Sequence, residues 1–328
     1  KTAYEISTRD WSSDVCSSDL SLIPLGETVS FNYLMNYSLS YLQPGSVDFD
    51  TSQHTIYKNG SALTINENND KLYYLKSSLK LEDNAINRII EFQPEALIHL
   101  AWEKIPDFSF ETSFENLQTQ TNFFRQLFSI ASLKKIIVTG SCWEYNKKLG
   151  ICTESDICVS GNYFTWAKNS LRDFLQFECL SNNINFIWAR IFFVYGPLQR
   201  KGSLIPSVIE NIQNGVIPEL KTPSNSNDFI YVEDVADGLL KFATIDAPSG
   251  IYNIGSGKSV PIIDIVSKIE ILINNTETLT RKISENTAFT SIKDTDFCAD
   301  MTKTITTLNW NPKINLENGI EKSINYKK

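Results

Sequence analysis

Three runs of mostly apolar residues constrain this chain more than any other feature: ALIHLA (Ala96–Ala101), KKIIVTGS (Lys134–Ser141) and INFIWARIFF (Ile184–Phe193). Strands this apolar are buried on both faces, which happens when helices cover both sides of a parallel sheet. Each run follows a helical period: Asp83–Phe92 before the first, Phe114–Ile130 before the second, Tyr163–Leu180 before the third. This alternation, from about residue 70 onward, predicts an α/β fold with a doubly wound parallel sheet. Beyond Tyr195-Gly196-Pro197 the order loosens, with helices expected near Leu204–Asn214, Val232–Ala243 and Pro261–Ile273 and a short C-terminal lobe.

The bulk numbers narrow the function by exclusion. With 328 residues there is room for one large or two modest domains, each with a full core. A formal net charge of −8, with no run of lysine or arginine, argues against nucleic acid as partner. No apolar stretch approaches the ~18 residues of a membrane span. Six cysteines without a C-x-x-C pair, and two histidines, His54 and His99, give no zinc site and no disulfide framework. A reducing, cytoplasmic location is expected.

The first twenty residues are expected to carry no fold information. KTAYEI (Lys1–Ile6) and DWSSDVCSSDL (Asp10–Leu20) read as the in-frame translation of a sequencing adapter, with Ser7–Arg9 from its variable index. Native sequence is then expected from about Ser21, truncated or joined to foreign sequence there, and Cys16 carries no meaning. A dinucleotide fold should open with a strand, a glycine-rich turn and a helix. Gly26, Gly45 and Gly60 are too far apart to form that turn, and truncation is the simpler explanation.

The remaining motifs point to one family. ALIHLAW (Ala96–Trp102), NLQTQTNFF (Asn116–Phe124), VTGSCWEY (Val138–Tyr145), FTWAK (Phe164–Lys168), ARIFFVYGP (Ala189–Pro197), DFIYVEDVA (Asp228–Ala236), YNIGSG (Tyr252–Gly257) and LNWNP (Leu308–Pro312) fall in order. From about Leu79 to its end the chain resembles an extended short-chain dehydrogenase/reductase of the NAD-dependent epimerase/dehydratase family, nucleotide-sugar type. The resemblance implies a Rossmann-like domain over residues 21–195, with 21–69 unreliable. A substrate-binding lobe follows over 196–328, and about 228–243 returns to the first domain. It implies NAD or NADP as cofactor, a nucleotide-activated sugar as substrate and a homodimer as assembly. The reaction would be 4-keto reduction or 4-epimerisation.

Residue by residue, the resemblance places Leu100, Ala101, Asn116, Lys168 and Phe192 along the cofactor. Asn116 heads its expected helix, where an active-site asparagine and a plain helix cap are both open readings. His99 reads as a packed, hydrogen-bonded structural histidine. Ser141, at the carboxyl end of its strand and four residues before Tyr145, is positioned to polarise a substrate oxygen. The residues after it are Cys142-Trp143, where the family's 4,6-dehydratases carry Asp-Glu, so dehydration is disfavoured.

The acid/base helix departs from the pattern. Lys168 matches the family lysine, which binds the nicotinamide ribose and lowers the pKa of a tyrosine four residues earlier. That earlier position is Phe164. Tyr163 lies about 140° around the helix from Lys168, against about 40° for position 164. Tyr163 therefore reaches the site only if the helix starts there with an irregular first turn. Three readings stand open: Tyr163 as base, loss of base chemistry, or a substitute group. Two further departures touch the substrate. Phe193 replaces an asparagine near the sugar phosphates, and Asn227 replaces an arginine that pairs with the diphosphate. Arg200 or Lys201 is the cation placed to compensate. The rival to an enzyme is a catalytically silent nucleotide-binding protein of the same fold, or a fragment unable to bind cofactor.

Overall fold

The computed structural model describes residues 20–23, 49–50, 55–58, 61–64 and 83–326, apart from 147–148, 201, 221 and 287–293. Short strands come first: β1 (Leu20–Ile23), β2 (Phe49–Asp50), β3 (Thr55–Lys58) and β4 (Ser61–Thr64). The last three form a separate antiparallel sheet. The expected alternation then appears. Helix α1 (Asp83–Phe92) leads to β5 (Ala96–His99), α2 (Phe110–Leu127) to β6 (Lys135–Ser141), and, past β7 (Leu149–Cys152), α3 (Tyr163–Ser181) to β8 (Asn185–Ile191).

The looser half contains β9 (Phe193–Tyr195), α4 (Leu204–Gln213), β10 (Ser226–Tyr231), α5 (Val232–Thr244) and β11 (Gly250–Ile254). It continues with β12 (Ser259–Pro261), α6 (Ile262–Asn274), α7 (Thr278–Asn286), β13 (Asp296–Ala299), α8 (Thr302–Leu308) and α9 (Leu316–Asn325).

The main sheet has the order β1-β5-β6-β8-β11, and β5, β6, β8 and β11 run parallel. Only β1, at the edge, pairs antiparallel, Leu20 opposite His99. Alternate residues face two different cores, as a doubly covered sheet requires. Ile98, Ile137 and Ile187 pack with Val235, Leu239 and Phe242 of α5. Leu97, Ile136 and Trp188 pack with Phe123, Phe124, Leu171 and Leu175 of α2 and α3. Helix α5, which covers most of residues 228–243, thus packs on the first sheet, and β11 joins that sheet beside β8. Residues 226–231 instead form β10, the centre of a second sheet ordered β12-β10-β13-β7.

Two boundaries correct the sequence reading. INFIWARIFF is not one strand: it breaks at Phe192, whose N–H donates to the Ile254 carbonyl at 2.9 Å in the first sheet. Phe193 already pairs with Phe229 of β10 in the second. An all-apolar run gives no sign of where a strand changes sheets. Helix α2 begins at Phe110, four residues earlier than expected, because the Ser109 hydroxyl caps it by accepting from Thr112 N.

A buried carboxylate organises the second sheet. Asp228 accepts from Ser256 N (2.7 Å) and Gly257 N (2.9 Å) in the turn after β11, and from Ala299 N (3.0 Å) at the end of β13. That turn needs Gly255, where a Cβ would lie 2.6 Å from Asp228 Oδ2.

Candidate active site

The site is built at the carboxyl ends of β5, β6 and β8, where open α/β sheets bind ligands. At the end of β6 the chain turns into a 3-10 helix, Cys142–Tyr145. Ser141 caps it: its hydroxyl accepts from Trp143 N at 3.2 Å and its own N–H donates to Glu144 Oε1 at 2.7 Å. Ser141 is 0% exposed. Glu144, equally buried, also accepts from Trp188 Nε1 at 2.9 Å and Arg190 Nε at 3.0 Å, with Arg172 at 3.5 Å. Gly140 makes this approach possible, since a Cβ there would lie 2.3 Å from Trp188 Nε1. Arg190 extends the cluster over the Tyr145 ring, 4.4 Å away, and donates to Cys158 Sγ at 2.8 Å.

Helix α3 carries the lysine. Its first turn is regular: Asn162 Oδ1 accepts from Thr165 N at 2.9 Å, Thr165 Oγ1 accepts from Asn162 N at 3.2 Å, and Trp166 N donates to Asn162 O at 3.0 Å. The irregular turn that Tyr163 would need is absent. Tyr163 is 54% exposed and meets the Phe110 ring edge-on at 5.4 Å on the outer face. Phe164 points inward, 2% exposed, against Trp102 (5.6 Å) and Phe108 (5.0 Å). Lys168 is also 2% exposed, and its ammonium donates to the Thr139 carbonyl at 2.9 Å, two residues before Ser141. The structure therefore brings Lys168 to the strand that ends in Ser141, sets Phe164 against Trp102 and Phe108, and leaves Tyr163 on the exposed face.

At the end of β5, Leu100, Ala101 and Trp102 are buried, and the Trp102 ring centroid lies 4.3 Å from Lys168 Nζ. His99 lies between Phe123 and Phe124, and its Nε2 is hydrogen-bonded to Gln120. Burial pushes its pKa down to about 3, with the Lys168 charge adding to the effect and the Gln120 bond opposing it. It is a neutral, structural histidine. Asn116 is not at a helix start, as expected, but in the second turn of α2. Its amide closes both backbone groups of Glu103, accepting from N at 2.8 Å and donating to O at 3.1 Å. Asn116 therefore fixes the loop that carries Trp102.

On the substrate side, Phe192 is fully buried and Phe193 packs among Trp143, Phe229 and Phe297. Asn227 is buried on β10, and its Nδ2 lacks a partner among the described residues. Arg200 is partly exposed just beyond the Tyr195-Gly196-Pro197 turn, and Lys201 lies outside the described residues. The sequence reading missed Trp102 and Glu144. Trp102 was visible as the last letter of HLAW, and Glu144 as the fourth residue of a Ser-x-x-Glu cap on Ser141, whereas its other partners lie 28 to 46 residues away. Among the described residues no cluster of His, Cys, Asp and Glu could hold a metal ion, and no helix is long and apolar enough to cross a membrane.

Comparison with known proteins gives the family and the fold. The family model described as "NAD dependent epimerase/dehydratase family" matches residues 55–255. The chain is 25% identical to the dTDP-4-dehydro-6-deoxyglucose reductase of Escherichia coli over 263 residues, 77% of this chain and 81% of that protein. It is 25% identical over 261 residues to a probable dTDP-glucose 4,6-dehydratase of Sinorhizobium fredii, 74% of this chain and 75% of that one. Its fold matches the UDP-glucuronic acid 4-epimerase of Bacillus cereus, solved with UDP-glucuronic acid and NAD. The TM-score there is 0.65, with 20% identity, covering 79% of this chain and 82% of that one.

Proposed function

Because this chain belongs to the NAD-dependent epimerase/dehydratase family, we propose that it carries out NAD(P)-linked redox chemistry on a nucleotide-activated sugar, as a 4-keto reductase or 4-epimerase. One observation carries the reading: the buried ammonium of Lys168, held at Thr139 O on the strand that ends in Ser141. Ammonium and hydroxyl at the end of one strand, β6, fit the ribose and nicotinamide end of such a cofactor. Lys168 would hold the ribose, the backbone at Leu100 and Ala101 would line it, and Ser141 would polarise the sugar oxygen. The cofactor, when bound, supplies or accepts the hydride.

Phe164 favours one of these reactions over the other. Epimerisation begins by removing a proton from a sugar hydroxyl, which needs a base, and a phenyl ring offers none. Ketone reduction needs a proton only as the alkoxide forms, and water can supply it. Reduction is therefore the better fit. Dehydration is disfavoured by Cys142-Trp143. Phe193 and Asn227 leave the diphosphate without an anchoring cation of their own, and Arg200 is the residue that would supply one.

A second reading, a catalytically silent nucleotide-sugar binder, is favoured by the outward Tyr163 and inward Phe164. Cofactor binding and turnover of 4-keto and 4-hydroxy nucleotide sugars, with Phe164→Tyr beside the natural chain, separate the two. A gain of about 10²-fold or more in the variant, the usual scale of general acid–base catalysis, means that the natural protein has lost its base. Turnover by the natural chain without such a gain shows that position 164 is not needed. Absence of cofactor binding in both sinks the redox reading.

A further inference from the structure

Lys168 is enclosed by rings. Trp102 presents its face to the ammonium at 4.3 Å, and the Phe164 centroid lies at 6.0 Å. Trp102 and Phe164 meet edge to face, and Phe108 packs against Phe164 from the other side. Lys168 is 2% exposed, and the Trp102 face is the nearer of the two rings that cover its ammonium.

We propose that Trp102 is a positioning residue for this site: its indole face holds the Lys168 ammonium against the Thr139 carbonyl, and the ring must turn aside before a cofactor ribose can take its place. This rests on the redox reading above only for the identity of the incoming group.

The physical case has three parts. A cation over an indole face is attracted by the ring quadrupole, but the ring accepts no directed hydrogen bond. A ribose hydroxyl does accept one, so the two are competitors for the same donor, and the ribose is the stronger partner. Second, the backbone beside Trp102 is anchored. Asn116 closes both Glu103 backbone groups, and Asp107 accepts from Ser109 N at 3.0 Å and Thr112 Oγ1 at 2.6 Å. Movement is thereby directed into the Trp102 side chain and away from the loop. Third, position 164 has no phenol to share the ammonium, and the Trp102 ring face is the aromatic group nearest to it.

Two measurements test this, one of them free of any cofactor. Acylation of Lys168 by acetic anhydride, followed by peptide mass spectrometry, should be slow in the natural chain, slow in Trp102→Phe and at least tenfold faster in Trp102→Ala. Equal rates in the natural chain and Trp102→Ala overturn the shielding. NAD+ titration should then change the tryptophan fluorescence of the natural chain, and the change should vanish in Trp102→Phe. Removing the competing ring in Trp102→Ala should tighten NAD+ binding by about 2- to 30-fold, the range a cation–π contact spans. Unchanged or weaker binding overturns the competition. If no variant binds NAD+ while the acylation difference holds, the redox reading falls and the shielding by Trp102 stands. Trp102→Leu replaces Trp102→Ala if the latter does not fold, with the same expectations.

Discussion

Two buried cations flank the carboxyl end of β6, and they are held in opposite ways. Arg190 donates to the Glu144 carboxylate, which is also bonded to Trp188 Nε1 and Ser141 N, so this charge is neutralised by a partner fixed on three sides. Lys168 donates to the Thr139 carbonyl and lies over the Trp102 ring face. A buried ion pair costs a great deal to break, because the surviving charge stays out of water. A carbonyl and a quadrupole hold a cation far more loosely. On the proposed function, the comparison separates architecture from ligand handle: Arg190 is committed to the fold, whereas Lys168 is the cation that would exchange partners.

The strongest way to break this contrast is Glu144→Ala, which leaves Arg190 buried and unpaired. Urea denaturation should show a loss of about 3–5 kcal/mol. A loss under about 1 kcal/mol would mean that Arg190 is no more committed than Lys168. Next is His99, beside the lysine. The unfolded chain protonates it near pH 6.5, and the folded chain near 3. Between those values the unfolded state binds more protons, so stability falls as pH drops through the window. From pH 7 to 4.5 the natural chain should lose roughly 2–3 kcal/mol more than His99→Gln; parallel losses would place a charge on His99 in the fold.

Smaller effects sharpen the other side. Lys168→Met keeps the stem and removes the charge, and should move stability by less than about 1 kcal/mol in either direction, while NAD+ binding by calorimetry disappears. A large destabilisation would make Lys168 structural after all. Smallest is Tyr163→Phe, on the exposed face, expected within about 0.5 kcal/mol in stability and without effect on turnover. A drop of tenfold or more in kcat would return Tyr163 to the chemistry.

What the sequence made legible follows the range of each signal. Helix Asp83–Phe92 was readable to the residue from its period, and the start of α3 at Tyr163 from Gly161-Asn162, because caps and periods are local. Lys168 and Ser141 were readable as positions at strand and helix ends. The orientation of Tyr163 was not, since it depends on whether the first turn is regular, which the Asn162–Thr165 cap decides. The ion pair of Glu144 with Arg190 was opaque because 46 residues separate the two, although the Ser141–Glu144 cap is local. Asn116 was placed at a helix start because exposed Phe110 and Phe114 blur the apolar stripe that would have marked the first turn of α2.

The handover at Phe192 has a thermodynamic consequence. One continuous segment, 185–195, supplies β8 to the first sheet and β9 to the second, with a single residue between them. Neither sheet can lose its hydrogen bonds there without straining the other. The two lobes should therefore melt as one cooperative unit, and amide protons of Ile187 and Ile230 should exchange through the same global opening.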